Sequence, residues 1–111
     1  MRFIGVCGGR DYENYTMLSA SMAGFVARGD VIVHGGARGA DSLSGRFAEE
    51  NGFGIIIVPA IWSRSRGAGF ARNEIIANLP LAFLIAFKGG NGTADMVKRA
   101  IAHGIKVHDL R

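Results

Sequence analysis

Short apolar runs alternate along this chain with longer segments in which apolar side chains recur every three or four positions. Arg2–Cys7 (RFIGVC) stops at the pair Gly8-Gly9 and predicts a buried strand. Glu13–Arg28 then carries Leu18, Met22, Phe25 and Val26 at helical spacing, with Gly29 placed as a helix-ending glycine. Val31–His34 (VIVH) predicts a second strand, Asp41–Asn51 a helix closed by Gly52, and Ile55–Pro59 (IIIVP) a β-branched third strand. A longer connection rich in Gly, Ser and Arg, Ala60–Ala71, leads into a helix that ends near Asn78. Leu81–Phe87 (LAFLIAF) is the fourth strand. Thr93–His103 is a helix with Val97, Ala100 and Ile101 facing inward and Gly104 behind it, and Lys106–Leu110 is the last strand.

Uninterrupted apolar strands separated by helices predict a parallel sheet covered on both faces. Right-handed crossovers turn this into an α/β fold of one domain over residues 1–111. The expected form is a Rossmann-like, doubly wound, five-stranded parallel sheet of order 3-2-1-4-5. In that order the first and fourth strands are neighbours whose connections leave to opposite faces. Ligands bind at such a point, beyond the carboxyl ends of the strands.

Composition narrows the class. A chain of 111 residues with 49% apolar and 20% charged side chains has the make-up of one globular core. Its 17 glycines, with only two prolines and no Gly-X-Y period, exclude collagen and point to turns. The longest apolar runs, Ile55–Trp62 and Leu81–Phe87, fall short of the ~18 residues a membrane span needs. The N-terminus has no signal-peptide core, and the lone Cys7 cannot form an internal disulfide. A cytoplasmic protein without a membrane partner is expected, with Cys7 a small buried hydrophobe. So much apolar surface on so small a sheet also predicts a homodimer or larger homo-oligomer.

Net charge is +4, from ten arginines and three lysines against nine acidic residues. Arginine's planar fork suits phosphate contacts better than lysine. On the predicted scaffold, the loop after strand 1 carries Gly8, Gly9 and Arg10, and the loop after strand 2 carries His34, Gly35, Gly36, Arg38 and Gly39. The long connection carries Trp62, Arg64, Arg66 and Arg72, and the loop after strand 4 carries Lys88, Gly89, Gly90, Gly92 and Thr93. Arg10, Arg38, Arg64, Arg66, Arg72 and Lys88 thus gather at the ligand-binding rim, and an anion site is expected there.

Two of these loops echo each other: residues 35–41 read GGARGAD and residues 89–95 read GGNGTAD. Glycine lets backbone amides approach a phosphate, and the helix that follows adds unpaired N–H groups and the positive end of its dipole. The alternative is that these glycines only make tight turns. Asp41 and Asp95 have two readings, a helix-end cap or a partner for a ribose hydroxyl. His34, at the mouth of strand 2, is a candidate contact, whereas His103 and His108 read as structural. No P-loop, no GxGxxG after the first strand, no HExxH and no paired cysteines occur, so no cofactor and no metal are implied.

GGRDY (8–12), VHGGARGAD (33–41), the stretch from Trp62 to AGFARNE ending at Glu74, and AFKGGNGTAD (86–95) resemble the SLOG superfamily over essentially the whole chain. They are most similar to its short stand-alone members of bacteria and phages. The superfamily includes the LOG phosphoribohydrolases, the Rossmann domain of DprA, and sensor domains that bind ADP-ribose-derived signals. The resemblance implies a nucleotide-type ligand held by the glycine loops, Asp41, Arg72, Asn73 and Asp95. In the LOG enzymes the last loop reads PGGxGTxxE, and an arginine works with that glutamate on the N-glycosidic bond. Gly89, Gly90, Gly92 and Thr93 match the loop and Arg72 matches the arginine, but Lys88 replaces the proline and Met96 the glutamate. Asp95 is one residue away, about 100° around the helix. Arg72 and Asp95 are therefore the catalytic candidates, with another carboxylate in place of Asp95 as the alternative, and a binder is expected before an enzyme. The alternatives are a LOG-like phosphoribohydrolase and, with Trp62 among arginines, a DprA-like binder of single-stranded nucleic acid.

Overall fold

In the computed structural model, which describes residues 1–62 and 67–111, strands and helices alternate throughout. They are β1 (Phe3–Cys7), α1 (Tyr15–Ala23), β2 (Val31–His34), α2 (Ala40–Asn51), β3 (Gly54–Ile57), α3 (Ala68–Ala77), β4 (Leu81–Ala86), α4 (Asn91–Ala102) and β5 (Val107–Asp109). The strands form one sheet of order β3-β2-β1-β4-β5, every pairing parallel, as the alternation predicted.

Side chains alternate across a strand, so one apolar run supplies two cores. Ile4, Val6, Ile32, Phe83 and Ile85 pack with Leu18 and Met22 of α1 and Phe47 and Ala48 of α2. Cys7, Val33, Leu84 and Ala86 pack on the opposite face with Ile76 and Ala77 of α3 and Met96, Val97 and Ala100 of α4. The first two helices therefore cover one face and the last two the other. The reversal falls between β1 and β4, whose register runs from Ile4↔Phe83 to Cys7↔Ala86.

Several boundaries move by a residue or two, and Ile101, expected to face inward from the last helix, is exposed on the outer side of α4; two boundaries move further. The first helix begins at an Asn14 cap, whose side chain accepts from Met17 N at 3.0 Å, but stops at Ala23 with Gly24 as its C-cap. The chain then bends so that Phe25 stacks on His108 at 4.2 Å, and Asp30 accepts from Ala27 N and from Arg2. Tertiary packing of Phe25 and Val26 thus overrides their helical spacing, and Gly29, with φ of +91°, belongs to the later turn. The third helix starts earlier than expected, at Ala68, inside the Gly-rich connection.

Candidate functional site

Three loops interlock beyond the carboxyl ends of β2, β1 and β4. Gly9 N donates to Lys88 O at 2.9 Å, and Gly9 O accepts from Ala40 N at 3.1 Å, so the first loop is gripped between the other two. This packing leaves no room for side chains. A Cβ on Gly9 would lie 3.0 Å from Gly89 Cα, and one on Gly39 would run into the Gly9 carbonyl. Gly39 also has φ of +80°, where L-residues are strained.

A pocket of about 360 Å³ opens above this junction, at the β1–β4 switch point. From the first loop Gly8, Gly9 and Arg10 line it, and from the second Gly35, Ala37 and Asp41. Trp62, Arg72 and Asn73 form the side towards α3, and Gly90, Gly92 and Thr93 the side towards α4. His34, Gly36, Arg38, Gly39, Gly89 and Asp95 stand off its wall. Arg64 and Arg66 lie outside the described residues.

The residues off the wall have internal work. His34 is buried, and its Nδ1 accepts from Gly36 N at 3.0 Å, which requires a neutral ring protonated on Nε2. Burial lowers its pKa, while nearby Asp41 pulls the other way. Arg38 is exposed and lies 3.8 Å from Asp11. Asp95 Oδ2 accepts from Asn73 Nδ2 at 3.0 Å and from Arg99 Nε at 2.8 Å. Asp41 belongs to both groups: it lines the pocket, and its Oδ2 accepts from Gly35 N and Ala37 N, each at 3.1 Å. Burial raises its pKa against those two hydrogen bonds and the charge of Arg72.

The pocket has an apolar wall that residue patterning missed, made by Val6, Cys7, Phe70, Ile76 and Met96. Their place at the carboxyl end of β1, where such folds bind ligands, could have shown that Val6 and Cys7 reach the crevice. Phe70 was hidden because the third helix begins earlier than its pattern suggests. Cys7 is buried there with its thiol pushed up to about 12, chiefly by desolvation, which disfavours the thiolate. Phe70 and Trp62 are half exposed at the mouth, with Arg10 above the Trp62 ring at 5.3 Å.

The α4 side carries the anion-binding features. Gly90 is the N-cap of α4, and among the described residues no side chain caps the first amides of that helix. Thr93 is buried on the wall, and its hydroxyl has no hydrogen-bond partner among the described residues. Cβ atoms added at Gly90 and Gly92 would meet nothing within 4 Å, and neither residue has positive φ. Glycine in the first turn of a helix is unfavourable relative to alanine by up to about 1 kcal/mol. Gly90, as the N-cap, holds a position where glycine is favoured over alanine, whereas neither packing nor backbone conformation accounts for Gly92.

Similarities to known proteins agree with this architecture. The chain is 31% identical over 118 aligned positions to the Gene 61 protein of Mycobacterium phage D29, covering 96% of this chain and 94% of that protein. Its fold is similar to the X-ray structure of TM1055, with a TM-score of 0.75 at 16% identity, over 96% of this chain and 72% of that one. It is also similar to DNA processing protein A (DprA) from Streptococcus pneumoniae, with a TM-score of 0.84 at 20% identity. That match covers 98% of this chain but only half of DprA. Residues 3–65 match the model of the YspA, cpYpsA-related SLOG family. The chain belongs to that family.

Proposed function

We propose that this protein binds a nucleotide-type ligand, a nucleoside phosphate or ADP-ribose-like molecule, and does not cleave it. The observation that carries the reading is Gly92, unexplained by packing or backbone and open to the pocket at the start of α4 beside its N-cap Gly90. A phosphate seated on that helix end needs close approach to backbone, which a Cβ would obstruct. The Thr93 hydroxyl adds a donor, and Arg10 adds positive charge at the rim. The apolar wall that runs to Phe70 and Trp62 suits the flat faces of a base, and the volume falls within the ~300–1,000 Å³ of small-molecule sites.

Met96 supports binding without hydrolysis. It occupies the wall where LOG enzymes place the glutamate, and a thioether neither stabilises an oxocarbenium-like sugar nor activates water. Asp95 is turned to Asn73 and Arg99 instead. The sequence-level alternative of an N-glycosidase using Asp95 thus lacks support from geometry. A second reading, single-stranded nucleic acid, is favoured by the half-exposed Trp62 beneath Arg10 and by the likeness to a DNA processing protein.

Thermal melts separate these readings. A ligand at ~100 times its Kd adds ~2.7 kcal/mol, a shift on the order of 10 °C for a chain of this length. At least one of AMP, ADP, ADP-ribose and the cyclic nucleotides is expected to give such a shift, and Gly92→Val to abolish it. No nucleotide response, with single-stranded DNA binding that weakens steeply in salt, would favour the second reading. Chromatography of the same mixtures is expected to recover nucleoside monophosphates intact. Base release at about 1 per second or faster, lost in Asp95→Asn, would make Asp95 catalytic.

A further inference from the structure

We infer that Arg72 and Asn73 form a latch that sets the spacing of the two glycine loops across the pocket, with Asp95 as its anchor. This rests on the pocket being the ligand site. The two loops follow β2 and β4, which are separated in the sheet by β1, so no strand pairing joins them directly. The first loop connects them at the floor through backbone hydrogen bonds. On the α3 side the connection is made by side chains. Arg72 Nη1 donates to Gly35 O at 2.6 Å and its Nε to Asn73 Oδ1 at 3.0 Å. Asn73 Nδ2 donates to Gly92 O at 3.1 Å and to Asp95 Oδ2 at 3.0 Å. One adjacent pair on α3 therefore holds a carbonyl of each loop.

The arrangement has a single sense. Both hydrogens of the buried Asn73 amide are engaged, and a flipped amide would set its oxygen against a carbonyl and a carboxylate. Asp95 fixes that sense, and Arg99 Nε, donating to the same oxygen at 2.8 Å, holds Asp95 in place. Gly35 fits the latch as well, because a Cβ there would overlap the Arg72 guanidinium. Arg72 and Asn73 are thus positioning residues: they keep Gly92 and the neighbouring Thr93 opposite the second loop, ready for a ligand that spans both.

Amide ¹H–¹⁵N spectra of the ligand-free protein test the latch. Asp95→Ala is expected to move the resonances of Gly35–Ala37, two residues removed along the chain of hydrogen bonds, as well as those of Gly90–Thr93. Asp95→Asn keeps an oxygen for Asn73 and is expected to leave both loops near their wild-type positions. Asn73→Ser, too short to reach either Gly92 or Asp95, should reproduce Asp95→Ala and serves if that variant fails to fold. Shifts confined to α3 and α4, or Asp95→Asn behaving like Asp95→Ala, would overturn the proposal. Affinity for whichever of AMP or ADP-ribose binds is expected to fall about tenfold in Asp95→Ala and to stay near wild type in Asp95→Asn, one hydrogen bond's worth. Wild-type protein that binds neither would sink the ligand reading while the spectra still decide the latch.

Discussion

Glycine has two distinct roles around the pocket, and substitution separates them. Gly39 is demanded by the fold, through its positive φ and the Gly9 carbonyl where its Cβ would lie. Gly39→Ala is expected to lower stability by about 1–3 kcal/mol from backbone strain alone, with the overlap adding to it. Gly92 sits in the first turn of α4 facing open space. Gly92→Ala is therefore expected to leave the free protein as stable or up to about 1 kcal/mol more stable, while weakening nucleotide binding. Melting curves of both variants with and without ligand check this. A destabilised Gly92→Ala protein, or one whose affinity is unchanged, would remove the reason for placing phosphate there.

Among elements, the second loop depends most on protonation, because Gly36 N donates to a neutral His34. Burial gives His34 a lower pKa folded than unfolded, so the unfolded chain takes up the proton first. His34 therefore contributes stability that is complete above about pH 6.5 and is lost as pH falls through its lowered folded value. Asp41 has the opposite sign: its raised pKa adds stability at low pH that is lost as pH rises above the ordinary carboxylate range. Between pH 7 and pH 5 the melting temperature of the wild type is expected to fall relative to that of His34→Asn, whose amide oxygen still accepts from Gly36. An equal change in both would clear His34 of this role. The elements themselves were largely legible in the sequence, since apolar runs that end at glycine pairs leave few alternatives to a parallel sheet. The end of α1 was not, because Phe25 and Val26 keep helical spacing while packing on the sheet from a bend. At the site, motif order anticipated most of the loop glycines, Arg10 and Arg72 on the wall, whereas Arg38 and Lys88 of the expected basic rim do not line the pocket. The apolar wall was not legible, because Ile76 and Met96 look like any other core residue until α3 and α4 are placed side by side.

At the scale of the whole molecule, apolar surface remains uncovered. Ile56 on the edge strand β3 and Phe70 and Ile75 on α3 are exposed, and β3 leaves one edge unpaired in this chain. We propose that a second copy covers part of this surface. Light scattering at micromolar concentration is expected to give a species heavier than the 11.8 kDa chain, and Ile75→Arg to shift it towards the monomer. A monomer in the wild type would refute this and leave the pocket argument standing. No described helix is long and apolar enough to cross a membrane, so these side chains are not part of a helical span. The central functional claim is that a nucleotide phosphate sits on the α4 amides, and amide spectra during titration with AMP, ADP or ADP-ribose measure it directly. The account predicts saturable displacement of the Gly90, Gly92 and Thr93 resonances, larger than that of inorganic-phosphate or salt controls, and none in Gly92→Val. Saturable nucleotide binding that moves other regions and leaves these three amides in place, or no binding at all, would contradict it.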